Sequence, residues 1–106
     1  MAGKINNRRN ERVFCGVPAR FDGARGPVRG TCRNLSLGGL FFLGGTAPLG
    51  RSIELQLELP EGPVRATGEV RYHHDYGSEG QGMGVRFVRI SGEDLARVTR
   101  WLETNA

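Results

Sequence analysis

The sequence predicts a mostly-β domain, with six short strands in an antiparallel barrel or sandwich closed by one C-terminal α-helix. Three observations carry this. Ile53, Leu55, Leu57 and Leu59 alternate strictly with Glu54, Gln56 and Glu58, the period of a strand with one face buried. Glycine, proline and aspartate clusters recur along the chain and leave only short extended runs between them. The apolar spacing becomes helical only after Ser91, at Leu95, Val98 and Leu102.

Taken in order, residues 1–11 (MAGKINNRRNE) are polar, lack a hydrophobic period and read as a flexible arm, leaving 12–106 as the folded domain. Val13, Cys15, Val17, Ala19 and Phe21 then alternate with Phe14, Gly16, Pro18 and Arg20, a half-buried strand that Pro18 marks as an edge or bulge. Asp22 to Pro27 is turn chemistry, and Val28 to Leu35 returns as the second arm of a hairpin. Gly38-Gly39 precedes a short apolar strand, Leu40 to Leu43, and Pro48-Leu49-Gly50 leads to the fourth strand at Ile53–Leu59. Pro60-Glu61-Gly62-Pro63 turns into a fifth strand with Val64, Ala66, Gly68, Val70 and Tyr72 on one face. After a loose 75–81 loop, Met83, Val85 and Phe87 mark a sixth. Ser91, followed by Asp94, has the form of a helix N-cap whose hydroxyl satisfies a free amide of the first turn.

Composition narrows the class. At 106 residues the chain is one domain, given roughly 100–200 residues per domain. No apolar run approaches the roughly 18 residues of a membrane span, and no leader pattern opens the chain. The 17 glycines lack a collagen period. Cys15 and Cys32 have no C-x-x-C spacing and fit two buried thiols in a reducing cytoplasm. Fourteen of the 15 basic residues are arginine, and residues 1–36 carry eight of them or of lysine against only Glu11 and Asp22. A basic front end on a slightly acidic body points to an anionic partner.

Catalysis finds little support. His73 and His74 are adjacent, so on a strand they face opposite ways and cannot chelate one metal together. Neither cysteine has an oriented histidine at a suggestive spacing, and there is no P-loop lysine. We therefore expect no catalytic residue, no metal and no cofactor. Two motifs remain. Arg8, Arg9 and Arg12 place planar, permanently charged forks on the arm, suited to gripping a phosphate and stacking on a base; taken alone, they also fit a solvated basic tail. Asn34 and Ser36, two apart at a strand end, offer an amide and a hydroxyl that can read a purine edge. Gly39 would let bare backbone approach a ligand. The bland reading of this second motif is a capped turn.

Arg8-x-x-x-Arg12 followed after one hairpin by Asn34-x-Ser36-x-x-Gly39 resembles the PilZ domain family of bacterial cyclic di-GMP receptors. Gly84-Val85-Arg86-Phe87 resembles that family's late G-V-x-F strand, and Leu95 to Leu102 stands where its closing helix belongs. The resemblance covers about residues 8–103. It implies a six-stranded antiparallel PilZ-type β-barrel with one C-terminal helix, binding cyclic di-GMP at the barrel surface. On that resemblance Arg8 and Arg12 hold phosphates and a guanine, with Arg9 assisting. Asn34 and Ser36 contact guanine or backbone groups, and Gly39 permits close approach. The arm wraps the ligand on binding and signals to a separate, unidentified protein effector, without membrane insertion. One alternative is a ligand-independent PilZ-like adaptor. Another is a basic barrel for single-stranded nucleic acid, although with Phe21, Phe87 and Trp101 read as core, its aromatic stacking platform is missing.

Overall fold

A computed structural model describes residues 12–105; the expected arm at 1–11, with Arg8 and Arg9, lies outside the described residues. The strands are β1 (Val13–Gly23), β2 (Gly26–Leu35), β3 (Gly39–Leu43), β4 (Ser52–Leu59), β5 (Gly62–Asp75) and β6 (Gln81–Ile90), followed by helix α1 (Gly92–Asn105). They close into an antiparallel barrel in the order β1-β2-β3-β6-β5-β4. Closure removes the unpaired edges that a small open sheet would expose.

The closing seam is short. β1 pairs with β4 only over Ala19–Phe21 against Leu57–Leu55. Pro18, next in line, has no N–H to extend that ladder. Where β1 pairs with β2, the register shifts between Phe14 and Val17. Gly16 takes a φ of 74° there, in the left-handed region that costs glycine little.

Inward residues of the alternating strands form one core, including Phe21, Cys32, Phe42, Leu57, Val64, Val70 and Met83. Phe21 and Phe42 meet edge to face, with ring centroids 5.0 Å apart. Helix α1 packs Val98 onto the core, with Trp101 and Leu102 partly buried beside it and Leu95 about one-third exposed. As expected, Ser91 Oγ accepts from the amide of Asp94 at 3.1 Å. The Asp94 carboxylate does not return to the cap; it accepts from Arg97 at 3.2 Å and tethers the helix start toward Arg65 of β5.

Three expectations change. Cys32 is fully buried but Cys15, at the β1 bulge, is only half-buried; both are free thiols. The 75–81 segment is not loose: Gly77–Glu79 forms a 3₁₀ turn, and the amide of Gly77 donates to the Asp75 carboxylate at 2.7 Å. Tyr72 leaves the inward face assigned to it. The β5–β6 register shifts between Val70 and Tyr72, and this bulge turns the tyrosine outward, where it is 40% exposed.

Candidate ligand-binding site

The outer face of the barrel carries its own aromatic cluster. Phe41 and Phe42 point to opposite sides of β3, as adjacent strand residues must, yet both are buried. Phe42 belongs to the barrel core, whereas Phe41 lies outside under Tyr72, His74 and Tyr76, with centroids 6.0, 6.5 and 5.3 Å away. Between β3 and β5 runs β6, which presents Gly84 opposite both Phe41 and Tyr72. A side chain there would collide with the Tyr72 ring. The glycine thus makes the depression over which the ring lies. Arg33 stacks 4.1 Å from the Tyr76 centroid and pairs with Glu79 at 2.6 Å, fastening the 3₁₀ turn to β2.

Beside this cluster opens a cleft of about 410 Å³, lined by Arg12, Ser36, Gly38, Gly39, Arg71, Tyr72 and β6 residues Gly84–Phe87. Arg12 reaches across it: Nη1 donates to the Tyr72 hydroxyl at 2.9 Å, and the guanidinium lies 5.9 Å from the ring centroid. The opposite wall is the Ser36–Gly39 turn. The Ser36 amide and hydroxyl both donate to the Gly39 carbonyl, at 2.9 and 3.2 Å, and the hydroxyl accepts from the Gly38 amide at 3.2 Å. The Phe87 amide donates to the Gly38 carbonyl at 2.8 Å, fixing the turn to β6.

The structure therefore brings Arg12, Ser36 and Gly39 together. Asn34 is not among the residues lining the cleft. It is paired with Phe14 of β1 and Phe41 of β3, and its Oδ1 is buried with no partner among the described residues. Gly39 has a more immediate reason to be glycine than ligand approach. A Cβ there would run into the Val85 carbonyl, separating β3 from β6. Its φ is not positive, so a sharp turn is not what requires it.

Sequence reasoning missed Tyr72, Arg71 and Arg86 as cleft residues. Arg86 stands at the variable position of Gly84-Val85-Arg86-Phe87 and no motif marks Arg71 or Tyr72; the bulge after Val70 and the β5–β6 register bring them to this wall. Glu69 accompanies them. Its Oε1 lies 3.0 Å from Arg71 Nη1 and 3.5 Å from Arg86 Nη2.

The two histidines do face opposite ways. His73 Nε2 lies 2.7 Å from the Ala47 carbonyl, whereas His74 packs on Tyr76 with centroids 4.3 Å apart. Among the described residues no three His, Cys, Asp or Glu side chains gather as a metal site, and no helix is long and apolar enough to cross a membrane.

The PilZ domain profile matches residues 6–104, nearly the whole chain. No curated protein sequence matches. Among solved structures, the Bacillus subtilis inhibitor of motility MotI/DgrA superposes with a TM-score of 0.78 at 20% identity, covering 88% of this chain and 48% of that one. The PilZ domain of Escherichia coli YcgR with c-di-GMP gives 0.73 at 16% identity, covering 90% and 88%. Borreliella burgdorferi PlzA in complex with c-di-GMP gives 0.67 at 13%, covering 95% and 43%. The chain thus spans about half the length of MotI/DgrA and most of the YcgR domain. At these identities the likeness is one of fold.

Proposed function

The chain belongs to the PilZ domain family, and we propose that it acts as a receptor for c-di-GMP. The structures of YcgR and PlzA, which share its fold, hold this ligand. The observation that carries the reading is the meeting of Arg12 with the Ser36–Gly39 turn in one cleft, since these residues come from two motifs more than 20 positions apart.

In this reading Arg12 exchanges the Tyr72 hydroxyl for a phosphate oxygen or a guanine acceptor, a stronger charge-assisted bond. Arg8 and Arg9, just upstream, close over the ligand from the arm. The Ser36–Gly39 turn supplies polar backbone at close range, and Asn34 swings its buried, orphaned Oδ1 out to meet a ligand donor. Domain boundaries follow: 1–11 is the responsive arm and 12–106 the platform. Ordering the arm costs conformational entropy that the phosphate and stacking contacts exceed. The ordered arm is then a new surface for a partner protein in the cytoplasm, where this reading places the receptor.

Calorimetric titration with c-di-GMP tests the proposal. Wild-type protein should show saturable binding that Arg12→Ala reduces beyond detection. Absence of binding by the wild type, or a steep salt dependence with no preference over single-stranded nucleic acid, would overturn it.

A further inference from the structure

The wall of the cleft formed by β5 and β6 carries two arginines that belong to neither sequence motif. Arg71 and Arg86 line it, with side chains 55% and 58% exposed, and both lean on Glu69. Glu69 sits directly opposite Arg86 in the β5–β6 register and two residues before Arg71. One carboxylate oxygen is therefore shared by two guanidiniums, each of which has five donors. Among the described residues neither guanidinium has a side-chain partner other than Glu69. Arg12, Arg71 and Arg86 set against Glu69 leave a local charge of +2. A cyclic dinucleotide carries two phosphodiesters, each with a single negative charge.

We infer that Arg71 and Arg86 form a second phosphate-holding pair on the barrel wall, in the cleft that Arg12 also lines, and that Glu69 is its counter-ion. Glu69 holds the two forks side by side in the absence of ligand and repels the incoming phosphate. An exposed pair of this kind contributes little to folding, so phosphate competes for the arginines at small cost to the barrel. The inference rests on the c-di-GMP reading and extends it from the arm and turn to β5 and β6. The barrel wall would then contribute binding energy as well as a platform.

The test is calorimetry with c-di-GMP on wild type, Arg12→Ala, Arg71→Ala, Arg86→Ala and Glu69→Gln, with circular dichroism confirming that each variant keeps its barrel. Arg71→Ala and Arg86→Ala should each weaken binding roughly tenfold, the order of one charge-assisted hydrogen bond, and should make affinity less sensitive to salt. Glu69→Gln should tighten binding about threefold by removing the competing charge. If wild type binds, Arg12→Ala fails to bind, and the Arg71 and Arg86 variants stay within twofold of wild type, this inference falls and the receptor reading stands. Weaker binding by Glu69→Gln overturns the counter-ion role. If the wild type does not bind, both readings fall together.

Discussion

Arg12 Nη1 donates to the Tyr72 hydroxyl at 2.9 Å, joining the first described residue of the chain to the end of β5, 60 positions later. The tyrosine ring lies over Gly84, so Arg12, Tyr72 and Gly84 form a stack on the outer barrel wall. Arg12 is thereby held at the rim of the cleft. Tyr72→Phe removes the hydroxyl and keeps the ring. It should tighten c-di-GMP binding by about threefold, since it removes a hydrogen bond from a charged donor that Arg12 gives up to the ligand. Calorimetry beside Arg12→Ala gives the comparison; weaker binding by Tyr72→Phe would refute this exchange.

Gly39 and Gly84 are both sterically required, but against different neighbours. A Cβ at Gly39 meets the Val85 carbonyl, which cannot move without separating β3 from β6. Gly39→Ala should cost about 1–3 kcal/mol in urea unfolding, the usual range for overpacking. A Cβ at Gly84 meets the Tyr72 ring, which can swing into solvent because it is 40% exposed. Gly84→Ala should therefore destabilise less while displacing Tyr72 and weakening ligand binding. The reverse ranking of stabilities would contradict this account.

Asn34→Ala separates folding from binding. No group among the described residues pairs with Oδ1, so truncation breaks no hydrogen bond there and should cost under about 1 kcal/mol. The same protein should bind c-di-GMP roughly tenfold more weakly, because the ligand loses its acceptor. A large stability loss in urea would show that Asn34 acts mainly in the fold.

The cysteines predict an alkaline weakness. The hydrogen bond with Cys15, followed by burial, pushes the Cys32 thiol well above its ordinary value of 9.0, while the same bond draws Cys15 down. The folded state thus keeps the Cys32 proton at a pH where the unfolded chain has lost it. That stabilisation is complete below 9.0 and drains away as pH climbs toward the folded value. Cys15 acts in the opposite sense, adding stability as pH rises toward 9.0. Urea midpoints measured across the alkaline range should fall beyond that point, and the fall should be shallower in Cys32→Ala. An unchanged slope in that variant would assign the decline to other groups.

The alternation of Ile53 to Leu59, the turn clusters and the Ser91 cap are local patterns, and each reappears in the fold where the chain order places it. The six strands, the helix and the two motifs were legible for that reason: side-chain period and turn chemistry depend on neighbours a few residues away. Pairing between distant strands is not written in that period. The bulge after Val70 turned Tyr72 from the core to the cleft, and the β5–β6 register set Glu69 against Arg86. Phe41 looked like half of a simple apolar run, yet it is buried outside the barrel by residues more than 30 positions away. Sequence alone determined which residues form strands and that Arg12, Ser36 and Gly39 deserve attention. Tertiary structure alone decided that they share one cleft, and that Tyr72, Arg71 and Arg86 line it with them. The reason is that a one-residue shift in register reverses which face a side chain occupies, and register is set by non-local contacts.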